Sequence, residues 1–366
     1  MDFRYLTNQE SLGLAPMEGV TDFPTRLWLS LTSRPVWMST PFLRVTSTYP
    51  AKAPPSFIPE HRLSLSSYEL LPQIMTASAD DFCKVAEKWL LKSRVVDLNA
   101  GCPSPRCERG GAGASLLKDP DRLFLLLTKI ISRLGAGCLS VKVRVGFESK
   151  EEFLGLLEVF KGLDLHHLTV HGRTKAQKYT GESDWDMIAL AQKKMPFTVV
   201  GSGDILCGDD FSSKAKKVVT KGIIGRGALK NPFVFEEIRR GEALSVGEGA
   251  LKYSLACYSL LNFLAQNELE KLCCLVEEGV FINAPLADED KWQRLFNVLA
   301  KAAGQKKAAP EDLGSDRGNL SRTKMVWSHL RPTLKEAYQK REVLRSRSYR
   351  EFFGWQRGGQ KSVRAF

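Results

Sequence analysis

Short apolar or β-branched runs recur along the first two-thirds of the chain, at 12–17, 35–39, 70–75, 95–101, 139–146, 167–172, 197–203 and 222–227. Runs of this length, bounded by Gly, Pro and polar residues, predict strands. Between them the apolar positions take helical spacing, as in 79–91 and 121–134. The first of these opens on Asp80-Asp81, which suits the positive end of a helix. Eight strands alternating with helices predict a closed (β/α)8 TIM barrel. A doubly wound open sheet is the competing fold, but it usually has fewer strands and one glycine-rich first turn. Here polar residues and glycines follow nearly every run, which favours the closed barrel.

The alternation stops near 240–249, where glycines and acids mark a linker. Beyond it Leu251, Leu255, Tyr258, Leu261 and Leu264 recur at three- and four-residue steps, so a helix is predicted. Another is expected over 321–340, interrupted near Pro332, with 302–317 as a polar loop. No strand signal follows Gly227. The expected organisation is a barrel domain over 1–240 and a small all-helical domain over 250–366.

A chain of 366 residues is long enough for one large domain and a smaller one. Its 43% hydrophobic and 26% charged residues are ordinary for a soluble globular protein. The start, Met1-Asp2-Phe3-Arg4-Tyr5-Leu6, lacks the apolar core of a signal peptide, and no uncharged run is long enough for a membrane helix. None of the eight cysteines forms a C-x-x-C pair, which argues against a zinc site or a disulfide framework. The expectation is a cytoplasmic protein with no metal and no membrane association.

Charge changes the picture for the second domain. The formal net charge is +12. From Arg317 to Phe366, thirteen Lys/Arg face only Glu336, Glu342 and Glu351, an excess of ten. A concentrated basic block points to a polyanion, most often nucleic acid. The plainer reading is a solvated helix face.

Candidate chemistry gathers where the strands end. The run at 95–101 closes on a glycine, and Cys102 then stands between that glycine and Pro103. A cysteine on a stiff turn at a strand end lies where barrels carry their chemistry. The plainer reading is a buried structural thiol. The same ends carry Pro16, Met17 and Glu18; Gln73; Asn99; Lys142 and Arg144; His171 and Arg173; Ser202, Gly203 and Asp204; and Gly225 and Arg226. Glycines after strands seven and eight let backbone N–H groups approach an anion, and Arg226 adds a charge, so these turns read as a phosphate cradle. Lys142 lies on an apolar strand and needs a partner there. The edge of a flavin ring, where negative charge gathers on reduction, is one such partner, and Gln73 and His171 can bond to the same cofactor. A salt bridge for Lys142 and a core position for His171 are the alternatives.

These residues carry a resemblance. Ala15-Pro16-Met17-Glu18-Gly19-Val20-Thr21-Asp22, Asp97-Leu98-Asn99-Ala100-Gly101-Cys102-Pro103-Ser104, Gly111-Ala112-Gly113-Ala114-Ser115-Leu116-Leu117, Ser140-Val141-Lys142-Val143-Arg144, Val170-His171-Gly172-Arg173-Thr174 and Ile224-Gly225-Arg226-Gly227-Ala228-Leu229 resemble the tRNA-dihydrouridine synthases, a flavoprotein family. Arg322-Thr323-Lys324-Met325-Val326-Trp327-Ser328-His329-Leu330 resembles the helical domain of the bacterial branch that reduces uridine 16.

The resemblance implies FMN across the barrel mouth. Pro16, Met17 and Glu18 would line the ring, Gln73 and Lys142 bond its edge, and His171 lie close by. Ser202, Gly203, Asp204, Gly225 and Arg226 would hold the phosphate end. It implies reduction of FMN by NADPH, hydride transfer to C6 of a D-loop uridine, and a proton to C5 from Cys102. A general acid of this kind contributes typically about 10²–10⁴-fold. Asn99, Arg44, Arg109, Arg144, Arg173, Lys175, Lys324 and Arg331 are the expected contacts to substrate and tRNA, and the protein is expected to be a monomer.

Two departures stand out. Ser202 replaces the family's usual Asn, which loses an amide donor and predicts a weaker hold on flavin. The turn after strand two reads Thr40-Pro41-Phe42-Leu43-Arg44 where the family usually has a Thr-Glu pair. Two rival readings follow from the residues. One is an FMN barrel acting on a free pyrimidine, as dihydroorotate-dehydrogenase-like enzymes do. The other is a non-catalytic RNA-binding barrel.

Overall fold

The computed structural model describes residues 11–47, 57–63, 68–215, 218–219, 221–282, 285–305, 309–313, 317–330 and 346–354. Eight strands form a closed, all-parallel barrel: β1 (Ser11–Leu14), β2 (Trp37–Arg44), β3 (Glu69–Met75), β4 (Val96–Ala100), β5 (Leu139–Arg144), β6 (His167–His171), β7 (Thr198–Ser202) and β8 (Lys221–Ile224). Each strand pairs with the next, and β8 closes on β1 with Gly13 opposite Ile223. All eight expected strands are present, as the TIM barrel requires.

Caps start three of the outer helices where the sequence places polar residues. Ser78 accepts from Asp81 N at the start of Ala79–Trp89, Asp119 from Arg122 N before Pro120–Leu134, and Asp184 from Asp186 N and Met187 N before Trp185–Lys194.

Strand β2 corrects one expectation. Residues Thr40 to Arg44 are not a turn after the strand but its second half, with Phe42, Leu43 and Arg44 paired to Gln73, Ile74 and Met75. The register shifts between Ser39 and Phe42, where Pro41 lies. A proline has no N–H for the ladder, so a strand tolerates it at a bulge. Thr40 Oγ1 accepts the Gln73 N–H at this slip, 3.0 Å away.

The floor of the barrel is apolar, built from Ala15, Trp37, Leu71, Val95, Val200 and Ile223. The Trp37 ring fills the space beside Gly13, where an added Cβ would stand 2.1 Å from it. Above this floor the same strand faces turn polar. Strand pairing aligns Gln73, Asp97, Ser140 and His167 in one layer, then Asn99, Lys142 and Thr169, then Arg144, His171 and Ser202. The two-residue repeat of a strand keeps each set on one face. Meanwhile Leu98, Val141, Val143, Leu168 and Val170, on the other face, are fully buried.

By contact the chain divides into two compact units, Met1–Phe23 with Pro35–Gly227, and Pro24–Arg34 with Ala228–Phe366. The second unit takes in 24–34 and 228–249 besides the expected 250–366. The reason lies in Trp28, whose Nε1 donates to Ser254 Oγ at 2.9 Å and whose ring centroid is 5.1 Å from that of Tyr258. Its described long helices are Glu248–Asn267, Glu289–Ala302 and Arg317–His329. The helix expected over 321–340 thus begins earlier, and its part beyond residue 330 lies outside the described residues.

Candidate active site at the barrel mouth

Strand β4 ends at Ala100, and Asn99 folds its side chain over the turn that follows. Its Oδ1 accepts from Gly101 N at 3.1 Å and Cys102 N at 2.9 Å. Asn and Asp hold turns in this way because their short side chains reach the backbone two or three residues on. Asn99 Nδ2 then donates to Gln73 Oε1 at 2.8 Å, and Gln73 Nε2 donates to Asp97 Oδ2 at 2.6 Å. Ser140 Oγ donates to the other Asp97 oxygen at 2.6 Å. Gln73 is fully buried and Asn99 nearly so. Each amide therefore already spends a donor and an acceptor within the protein, which leaves each one further N–H donor.

Cys102 is half-buried at this turn, its Sγ 3.6 Å from the Sγ of buried Cys107. Burial pushes the Cys102 thiol up to about 11, against a lowering bond from the Ser104 backbone, while Cys107 and Glu18 add to the rise. The thiol therefore keeps its proton at neutral pH.

Beside it, partly buried Lys142 makes no hydrogen bond or ion pair among the described residues. Burial first, then the Arg144 charge, lowers its ammonium to about 8, while Asp97 and Cys102 oppose this. The His171 ring likewise has no hydrogen-bond partner among the described residues. Its pKa lies well below the usual imidazole value, through burial and then the charges of Lys142, Arg144, Arg173 and Arg226. His171 is therefore a neutral imidazole with one donor and one acceptor nitrogen.

Arg144 and Arg173, two of the expected RNA contacts, are held within the protein. Both are 3% exposed. Arg144 donates to the carbonyls of Gly101, Thr174 and Lys178, so it ties the loops after β4 and β6 together. Arg173 donates to the Thr180 and Gly181 carbonyls and to both oxygens of Asp204. Loop carbonyls and one carboxylate thus take up most of the donors of these two cations. Arg173 Nη1 is the exception, buried with no hydrogen-bond partner among the described residues.

Asp204 was expected at the phosphate end. Its carboxylate instead takes Arg173 at 2.7 Å and the Ser183 N–H at 2.7 Å. Asp204 thus holds Arg173 and the Ser183 backbone. Gly203 has φ +128°, and an added Cβ would stand 2.1 Å from Ser183 Oγ. The Ser202 carbonyl accepts from Gly172 N and Ser183 Oγ. Gly225 lies where a Cβ would be 3.6 Å from Ala15 Cβ and 3.7 Å from Met17 Sδ, which brings the ends of β8 and β1 together. Pro16 and Met17 are half-buried and Glu18 is exposed. The Arg226 guanidinium is half-exposed, 4.6 Å above the Tyr179 ring and 3.9 Å from Asp204.

Of the remaining expected RNA contacts, Arg44 and Arg109 are exposed. Lys175 pairs with Glu108 at 3.0 Å and lies 4.2 Å from the centre of the Phe147 ring. Lys324 donates to the Ser346 carbonyl. Arg331 lies outside the described residues.

Asp97, Ser140 and Cys107 escaped the reading of the sequence. The signal was present for two of them: Asp97 stands two residues before Asn99 and Ser140 two before Lys142, on the same strand faces. Among the described residues no group of three or more His, Cys, Asp or Glu could hold a metal ion, and no helix is long and apolar enough to cross a membrane.

Comparison with known proteins bears on the same residues. A family model described as dihydrouridine synthase matches residues 13–311. The tRNA-dihydrouridine(16) synthase of Salmonella typhimurium is 33% identical over 246 residues, 63% of this chain and 76% of the relative. That of Neisseria meningitidis serogroup A is 29% identical over 236 residues, 63% of this chain and 71% of the relative. A probable tRNA-dihydrouridine synthase of Helicobacter pylori is 31% identical over 247 residues, 65% of this chain and 72% of the relative. The matched segment contains every strand of the barrel from Gly13 onwards and every residue of its mouth, and the chain belongs to the dihydrouridine synthase family.

Proposed function

We propose that this chain reduces a D-loop uridine of transfer RNA to 5,6-dihydrouridine, with FMN held at the barrel mouth and Cys102 as the acid. The observation that carries this reading is a thiol that keeps its proton in the same mouth as an ammonium with no protein partner among the described residues.

The donor set fits a flavin. Lys142 would meet the ring edge that becomes negative on reduction, and the neutral His171 would bond to it without adding charge. Arg226, the orphaned Nη1 of Arg173 and the Gly203 and Gly225 turns would hold the phosphate. Pro16, Met17 and Glu18 would flank the ring. Bound there, FMN would supply the hydride for C6 of the uracil, with NADPH as its reductant.

The chain's own part is positioning and proton delivery. Asn99 fixes the turn that aims Cys102, and the thiol gives its proton to C5. The uridine must leave its stack to reach the mouth, which costs a few kcal/mol and least for an unpaired base. Exposed Arg44 and Arg109 and the basic block of the second unit would grip the phosphates. The names of the Salmonella and Neisseria relatives and the 322–330 segment favour position 16.

Mapping dihydrouridine in tRNA from cells with and without the gene tests the proposal. Loss at position 16 alone is expected. Loss only at another position would overturn the choice of uridine, and an unchanged map would overturn the function.

A further inference from the structure

Four side chains below the mouth form one continuous chain of hydrogen bonds: Ser140, Asp97, Gln73 and Asn99, ending on the backbone N–H groups of Gly101 and Cys102. We infer that Asp97 is a positioning residue for Cys102, acting through the amides of Gln73 and Asn99. The inference rests on the role proposed above for Cys102.

The direction of the bonds carries the argument. Gly101 N and Cys102 N can only donate, so Asn99 must turn its carbonyl towards them. Its NH₂ then faces Gln73, which must answer with an oxygen. The NH₂ of Gln73 in turn faces residue 97, which must accept. A carboxylate at 97 is acceptor-only, so it excludes the reversed orientation of Gln73. The Ser140 hydroxyl takes its second oxygen. Asp97 is 2% exposed, on the strand that ends at the Cys102 turn, two residues before Asn99. Nothing in a packed apolar strand needs a carboxylate there. Its charged neighbour is Lys142 on β5, and from β3 it meets only the neutral Gln73.

The chain makes a polarity test available. Asp97→Leu removes the acceptor and leaves the Gln73 NH₂ buried without it. Gln73→Glu sets two carboxylates against each other. Asp97→Asn keeps the pattern, with its oxygen to Gln73 and its NH₂ to Ser140. Asp97→Asn combined with Gln73→Glu restores the junction in reverse. The new NH₂ at position 97 then donates to the new carboxylate at position 73, whose other oxygen still meets Asn99.

The measurement is alkylation of each purified full-length protein by iodoacetamide, read at the Cys102 peptide by mass spectrometry, alongside kcat and KM for tRNA. A slack turn exposes the thiol, so Cys102 should alkylate about tenfold faster in Asp97→Leu and Gln73→Glu, the size expected for a lost buried hydrogen bond. In Asp97→Leu, kcat should fall by about the same factor with KM changed less, while the Gln73 variants are read by alkylation because Gln73 is also placed at the cofactor. Asp97→Asn and the double variant should alkylate at Cys102 near the parent rate, and Asp97→Asn should also keep its kcat. A thermal melt shows which variants fold; if Asp97→Leu does not, Gln73→Glu and its rescue decide. Parent-like alkylation in a folded Asp97→Leu or Gln73→Glu protein would overturn the inference, as would failure of the double variant to restore it. Alkylation needs neither tRNA nor cofactor. The expected pattern of rates without any dihydrouridine would therefore remove the proposed function and leave the positioning role standing.

Discussion

Cys102 keeps its proton because of its surroundings. A thiol raised to about 11 is almost wholly protonated at pH 7 and holds one proton to give. Cys102→Ala should therefore cost about 10²–10⁴-fold in dihydrouridine formation. Flavin absorbance per protein should stay at the parent level. Parent-like turnover would remove Cys102 from the mechanism. Asp97 makes a separate, thermodynamic prediction. Burial raises it from 3.8 to about 6, against bonds from Ser140 and Gln73 and the charge of Lys142. The folded protein thus holds this proton between those values while the unfolded chain has lost it. The stabilisation is complete below about 3.8 and is lost as the pH rises through about 6. Asp97→Asn has no such titration, so its melting temperature relative to the parent should climb from about pH 4 to about 6.5 and then level off. A constant difference across that range would show that Asp97 has an ordinary pKa.

At the scale of elements, turn and strand geometry set the site. The turn after β7 runs through Gly203 at φ +128° against Ser183, with Asp204 following at φ +54°. Gly203→Ala forces both a clash and a rare backbone conformation, and should cost about 1–3 kcal/mol in a denaturant melt. A cost within a few tenths would show that Ser183 yields easily. Helix Phe23–Thr32 follows β1 along the chain, yet its Trp28 is fully buried on Ser254 and Tyr258. Trp28→Ala should destabilise by about 3–5 kcal/mol, with the loss of the Ser254 bond included. The β2 bulge shows why Thr40–Arg44 read as a turn. Proline is a turn signal locally, and only the ladder to β3 shows that the strand continues past it.

For the molecule as a whole, charge is the guide. A chain of net +12 with ten of that excess in its last fifty residues should bind tRNA through phosphate contacts. If about six or more phosphates are neutralised, affinity should fall about 10³-fold or more between ~50 and ~200 mM salt. A flat salt response in a filter-binding series would remove the basic block from tRNA recognition.

The eight strands, their order and the Gly-Cys-Pro turn were legible in the sequence, because strand periodicity and turn chemistry are local. So was the set of polar strand ends, since in this barrel the chain direction itself brings them to one mouth. Tertiary structure decided which of those polar groups remain available. Arg144 and Arg173 look like surface cations in sequence, but loops from separate segments fold their carbonyls onto them. Asp97 looks like a lone acid in an apolar run, and only the register of β3, β4 and β5 gives it Gln73 and Ser140. Hydrogen-bond partners are chosen by proximity in space, and proximity across a closed barrel is not written in the spacing of any one segment.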